Sequence, residues 1–279
     1  MTITLLLTLI AIGSIIGLLT TIFGVGGGFL LVPALTKLIG LPFDIATTLS
    51  LCFILGASLG GLYLKIKIGD FDKKVLIYTL PTAIIGVIFG DITKDLIKKY
   101  LGDMDVFNHI MMVIFAIFLI FIACIILYDI FKKAHPKPSF FFRLKPVIAL
   151  NSSAHPISLI SLLFSGLIVG FLSGLLGVGG GIIFIPLLTT GMKLPLNKAA
   201  GTSLGLVFAI AFIGIVKKGF PADIHASLIM LVLLLIGSFI GMKAGIIFAK
   251  KQKDKTLKTL FAILVFTLAI ALLISEYFY

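Results

Sequence analysis

Gly24-Val25-Gly26-Gly27-Gly28 interrupts a long apolar stretch, and the same five residues return as Gly177-Val178-Gly179-Gly180-Gly181. Each glycine costs a helix about 1 kcal/mol relative to alanine. Three in a row, twice, therefore read as a break and not as the interior of a continuous helix. A break leaves free N–H groups where the next helical segment begins. In hydrocarbon that is tolerated only where the backbone is buried in protein or lines a cavity. A helix start also carries partial positive charge and favours anions. The competing reading is that the glycines only let helices pack closely. The duplication, and Pro33 and Pro186 just beyond the motifs, favour a break.

The repeat extends well beyond the glycines. Residues 17–50 align with 170–203 without a gap, with 14 identities in 34 positions. Pro33 pairs with Pro186, Leu41-Pro42 with Leu194-Pro195, and Ser50 with Ser203. After a two-residue slip, Asp72 pairs with Asp223, Gly86 with Gly237 and Gly90 with Gly241. The chain is an internal duplication, and function is expected where the halves meet.

The setting is a membrane. The 279 residues are 60% hydrophobic and 12% charged, with mean hydropathy +1.26. Apolar segments fall at 3–22, 29–39, 45–66, 74–92 and 108–130, then at 158–176, 182–191, 198–217, 225–248 and 257–276. Most approach the ~20 residues that cross ~30 Å of hydrocarbon. The second segment of each half is about ten residues, or ~16 Å as a helix, which is half a membrane. The fold expected is an all-α polytopic membrane protein of two inverted repeats. Each repeat is a glycine-broken re-entrant, V-shaped hairpin plus three transmembrane helices. The first repeat spans 1–130, a linker 131–157, and the second repeat 158–279. Met1-Thr2-Ile3-Thr4 lacks the basic region of a cleaved signal peptide and reads as part of the first span.

Inversion comes from the charges. If each broken unit crosses the membrane once, the loop lysines and arginine split 11 to 11 between the two sides. If each unit returns to its own side, the split becomes 16 to 6. The richer side then holds Lys65, Lys132, Arg143, Lys193 and Lys250, and the poorer one Lys37, Lys94, Lys98, Lys99, Lys217 and Lys218. By the positive-inside rule the linker is cytoplasmic, both termini are outside, and the protein sits in the inner or plasma membrane. A net charge of +12 carried mostly beside apolar runs points to topology and lipid headgroups, not to nucleic acid.

Both glycine tips then meet near the midplane, where secondary transporters bind anionic substrates. A short polar patch follows each hairpin: Asp44-Ile45-Ala46-Thr47-Thr48-Leu49-Ser50 and Asn197-Lys198-Ala199-Ala200-Gly201-Thr202-Ser203. Asp44 and Asn197 are expected N-caps. The hydroxyls of Thr48, Ser50, Thr202 and Ser203 either donate to an oxyanion or bond back to their own helix. Lys243, deep in an apolar run, is either a snorkelling lysine or an anion partner. All eleven acidic residues are expected at or near segment ends, with no buried carboxylate available to a proton relay. His109, His135, His155 and His225 form no ligand pair, so neither a metal nor a cofactor is expected, nor any catalytic constellation. Cys52 and Cys124 read as buried small residues. Glycines spaced by four, as in Gly13/Gly17, Gly86/Gly90, Gly166/Gly170/Gly174 and Gly237/Gly241/Gly245, read as helix-packing positions.

The paired motifs followed by Val32-Pro33 and Ile185-Pro186, with Ala200-Gly201-Thr202-Ser203-Leu204 and Gly237-Ser238-Phe239-Ile240-Gly241, resemble the TauE/SafE family of sulfite-exporter-like membrane proteins. The resemblance covers essentially the whole chain except the linker. It implies a secondary transporter, in the export direction, of small sulfur-containing or organic anions such as sulfite, sulfoacetate or related sulfonates. The first half departs from the pattern, with Thr47-Thr48-Leu49-Ser50 where the second has Ala-Gly-Thr-Ser. The site expected comprises Gly26, Gly27, Gly28, Gly179, Gly180 and Gly181 with Thr48, Ser50, Thr202 and Ser203. A passive anion channel and a non-transporting membrane scaffold stay open as alternatives, and the sequence is silent on oligomeric state.

Overall fold

The computed structural model describes residues 3–37, 39–131, 144–149, 156–218 and 224–277, with side chains described at these positions except 3–5, 218, 224–227, 276 and 277. Asp223, His135 and His155 lie outside the described residues, as do most of the linker and the side chain of His225. The first half comprises α1 (Ile3–Phe23), α2 (Gly28–Lys37), α3 (Phe43–Lys67), α4 (Lys73–Leu101) and α5 (Met104–Phe131). The second comprises α6 (Leu159–Leu176), α7 (Gly181–Pro186), α8 (Leu196–Lys218), α9 (Ile224–Lys251) and α10 (Asp254–Tyr277). Among the described residues eight helices are long and apolar enough to span a membrane, and α2 is short. The chain is a polytopic all-α membrane protein. A two-residue antiparallel pairing of Val147–Ile148 with Ile157–Ser158 precedes α6.

The ends of the elements follow local chemistry. α1 stops at Gly24 (φ +72°) and α6 at Gly177 (φ +69°), where glycine enters the left-handed region at little cost. The Asp72 carboxylate accepts from the Lys74 and Val75 amides and starts α4, and Ser158 does the same for α6. Pro186 ends α7, and the chain continues as one π-helical turn, Leu187–Gly191. A proline amide cannot donate the usual helical bond, so the arm loosens there. The expected caps Asp44 and Asn197 do not cap. α3 begins one residue earlier, at Phe43, whose amide donates to Asn108 Oδ1 of α5. In the second half the Leu196 amide donates to Asp254 Oδ2 of α10. Cap and helix thus come from different parts of the chain.

Helices pair across the halves: α1 lies along α9, α4 along α6, α3 crosses α8, and α5 packs on α10. Glycine makes the first two seams. A β-carbon at Gly17 would stand 2.1 Å from the Ser238 carbonyl oxygen, and one at Gly170 would stand 2.0 Å from that of Ala83. Backbones approach this closely only where no side chain intervenes.

The same contacts give direction. Gly13 meets Leu234 and Gly17 meets Ser238, so α1 and α9 run the same way. Gly56 meets Leu235 and Gly60 meets Phe239, which adds α3 to that set. Gly166 meets Thr79 and Gly174 meets Val87, so α4 and α6 are parallel. The pairs Asp72–Thr202 and Asp91–Lys217 bring α8 into line with α4. Leu51 against Gly214 and Leu204 against Gly61 set α3 antiparallel to α8. α1 and α6, the first helices of the two halves, therefore run in opposite directions. α1 and α3 run the same way, so α2 returns the chain between them.

One register differs from the sequence alignment. The packing equates Gly86 with Gly241, since these meet Leu167 and Ser14, and Gly90 with Gly245, since these meet Phe171 and Leu18. This is one helical turn beyond the aligned pairs. Glycines repeated every four residues fit either register, and only the partner helix chooses between them.

Candidate functional site

The two glycine breaks touch at the centre of the molecule. A β-carbon at Gly28 would lie 2.8 Å from the Val178 carbonyl oxygen, and one at Gly181 would lie 2.7 Å from Val25 Cα. Gly26 and Gly179 both pack against Ile54 of α3 and Val207 of α8. Phe261 of α10 stacks on Phe23 at 4.8 Å and meets Phe29 edge-on at 6.4 Å, covering the flank of the first break.

Within each break the backbone turns its amides away from helical partners. Gly26, Gly27, Gly179 and Gly180 all have φ between 72° and 84°. After the Gly24 amide bonds to Thr20 and the Gly177 amide to Ser173, the next backbone bonds are those of the Leu30 and Ile183 amides. The amides of Val25, Gly26, Gly27, Val178, Gly179 and Gly180 make no backbone hydrogen bond. Successive backbone N–H groups left unpaired in a turn form an anion-accepting concavity. The first-turn amides of the ten-residue α2 add the positive end of a helix.

Hydroxyl groups complete the set. Ser50 and Ser203 are fully buried, and neither hydroxyl has a hydrogen-bond partner. On α3, Ser50 lies one turn from both Thr47, which touches Gly177, and Ile54, which touches Gly26. On α8, Ser203 lies one turn from both Ala200, which touches Gly24, and Val207, which touches Gly179. Residues three and four apart share a helix face, so both serines sit on the faces that meet the breaks. Two further hydroxyls, Thr20 of α1 and Ser173 of α6, are equally buried and equally unpartnered. Thr20 Oγ1 would stand 3.1 Å from a β-carbon at Gly27. Thr20 and Ser173 occupy the same position of the aligned repeat. That equivalence is the signal for them in the sequence, although neither stands in the polar patches that follow the hairpins.

The remaining expected site residues go elsewhere. The Thr48 hydroxyl donates to the Asp44 carbonyl at 2.9 Å, within its own helix. Thr202 Oγ1 donates to the Lys198 carbonyl and accepts from the Asp72 amide at 2.9 Å, tying α8 to the start of α4. Lys243 lies on the exposed face of α9, apart from the breaks. Cys52 is buried, whereas Cys124 is exposed on the flank of α5. An open cavity of about 720 Å³, lined in part by Thr36, Lys37, Asn108 and His109, lies at the far end of α2 and not at the breaks.

The charged groups correct the expectation that every carboxylate sits at a segment end. α4 runs on to Leu101, which leaves Asp91 inside a helix and only 4% exposed. Its carboxylate meets Lys217 Nζ of α8 at 2.8 Å. Asp44 receives both Lys94, at 2.8 Å, and Lys98. At the other end of the molecule Asp129 receives Lys193 at 3.0 Å and Lys258 at 2.9 Å.

Residues 7–272 match the family model described as sulfite exporter TauE/SafE. The chain belongs to the TauE/SafE family. It is 28% identical over 264 residues to the probable membrane transporter protein MJ0441 of Methanocaldococcus jannaschii, covering 90% of this chain and 88% of that protein. It is 25% identical over 262 residues to the probable membrane transporter protein YunE of Bacillus subtilis, covering 89% and 90%. No solved structure matches. Both glycine breaks fall within the matched span of this TauE/SafE chain.

The Asp72–Thr202 contact separates a structural role from a binding role. Thr202→Val keeps shape but strands a buried amide, which costs about 1–3 kcal/mol. The expected result is a lower melting temperature in detergent with the substrate KM unchanged. A raised KM with normal melting would move Thr202 back into the site.

Proposed function

We propose that this TauE/SafE member is a secondary transporter of a small oxyanion or organosulfonate, such as sulfite or sulfoacetate, bound between its two halves. The observation that carries this reading is the pair of touching glycine breaks faced by four buried, unpartnered hydroxyls in two equivalent pairs. Unsatisfied polar groups are costly away from water. An ion presenting several acceptor oxygens satisfies many donors at once, and hydrogen bonds to an ion are the stronger kind. The proposed ligands are the Gly26, Gly27, Gly28, Gly179, Gly180 and Gly181 amides with the Thr20, Ser50, Ser173 and Ser203 hydroxyls. Thr48 and Thr202 instead serve the starts of α3 and α8.

The opposed directions of α1 and α6 support two inverted repeats, 1–130 and 158–279, joined by the 131–157 linker. Movement of one half against the other would open the shared site to each side in turn. The lysine distribution supports a cytoplasmic linker, external termini and an inner or plasma membrane location. Export is the direction named in the family description.

The test is uptake of radiolabelled sulfite, sulfate and sulfoacetate into liposomes holding the purified protein. Saturable, competable flux with counterflow is the expected result. Flux linear in concentration without counterflow would make the protein a channel, and no flux of any anion would defeat the reading.

A further inference from the structure

Asp91 and Lys217 form an ion pair at 2.8 Å between the two halves, α4 supplying the acid and α8 the base. Asp91 is 4% exposed, whereas the Lys217 side chain is 38% exposed. The pair borders a small void that Ser173 also lines, with Leu51 of α3 and Ile210 and Gly214 of α8. Ser173 is one of the four unpartnered hydroxyls proposed as ligands and lies one turn before the second break. The pair and Ser173 thus border one void, and Ile210, which also lines it, would stand 3.4 Å from a β-carbon at Gly180.

The equivalent place in the other half carries no such pair. By the register of the packing, Leu64 stands for Lys217 and Ile246 for Asp91. The charge pair therefore belongs to one half-site alone.

Resting on the transporter reading above, we infer that Asp91 is the proton-accepting group of the transport cycle, and that Lys217, released when Asp91 is protonated, receives the anion. Moving α8 away from α4 separates the pair. Separation without a proton would leave a buried carboxylate uncompensated. One proton added to the carboxylate leaves a neutral acid, and the Lys217 ammonium is then free for an anion entering or leaving at this mouth. Lys94, one turn further along α4, also binds Asp44 of α3, and α6 lines the void with Ser173 and Gly174. Proton uptake and anion binding at this mouth therefore favour each other, and a proton travels with the anion. Net movement follows the sum of the two gradients, so export proceeds whenever the internal anion excess outweighs the proton gradient.

The experiment uses the full chain in liposomes with a trapped pH dye and sulfate or sulfoacetate, both fully ionised at pH 7. A proton that moves with either must then move on the protein. The unaltered protein should acidify the lumen as it takes up anion from an acidic exterior. Asp91→Asn should lose proton-driven accumulation more than tenfold while anion exchange at equal concentrations falls less than threefold. Asp91→Asn with Lys217→Gln removes both charges together and should still fold if the single variant does not, again without proton movement. Accumulation by Asp91→Asn at the normal level, or luminal alkalinisation during uptake, overturns the coupling while leaving the transporter reading standing. No flux in the unaltered protein overturns both.

Discussion

Changing Ser50 and Ser203 together to alanine should make the protein more stable and almost unable to transport. The two effects have opposite signs because the hydroxyls have no partner in the fold. An unsatisfied buried hydroxyl costs about 1–3 kcal/mol, and alanine removes that cost while leaving only a small void. Each kcal/mol gained raises the melting temperature of a protein this size by about 2–4 °C. A hydrogen bond to an ion is worth about 1.5–3 kcal/mol. Losing two removes about 3–6 kcal/mol of binding, a hundredfold or more in apparent affinity. Flux titrations and melting curves on the same preparations check both signs. Normal flux with raised stability would place the hydroxyls outside the site, and lowered stability would mean that they serve the fold.

The second large effect is on folding. Gly241→Leu and Gly90→Leu should each abolish a stable protein. A β-carbon at Gly241 would lie 1.9 Å from the Ser14 carbonyl oxygen, and one at Gly90 would lie 2.0 Å from that of Phe171. Overpacking a core typically costs about 1–3 kcal/mol. Here the obstacle is helix backbone, which cannot swing aside as a side chain does, so the cost exceeds that range. Gly56→Ala is the comparison. Its new β-carbon meets the flexible end of Leu235 at 2.8 Å and should be tolerated within about 1–3 kcal/mol. Equal losses of folded protein for Gly56→Ala and Gly241→Ala would defeat the view that α1–α9 and α4–α6 are backbone seams.

Several features were legible in the chain because they are local. Hydropathy placed the ten apolar segments, since burial in lipid acts on each stretch by itself. The glycine runs located both breaks, since left-handed backbone is a property of the residue. Alignment of the halves pairs Ser50 with Ser203 and Thr20 with Ser173.

The features that went unread depend on a partner distant in sequence. Whether a helical hydroxyl bonds to its own backbone or is left unpartnered beside the breaks depends on which helix covers it, so Thr48 and Thr202 could not be told from Ser50 and Ser203. Asp44 looked like a cap, and Asn108 took its place because α5 crosses the start of α3. Asp91 sits at the end of an apolar run in the sequence, yet α4 extends ten residues past it and α8 supplies its lysine.

The sequence by itself therefore determined a duplicated, glycine-broken, membrane-spanning chain of the TauE/SafE type. Only the tertiary structure decided the register of the glycine seams, the four hydroxyls left facing the breaks, and the charge pair at one mouth. The first set follows from the free energy of each segment in lipid, and the second from which segments meet.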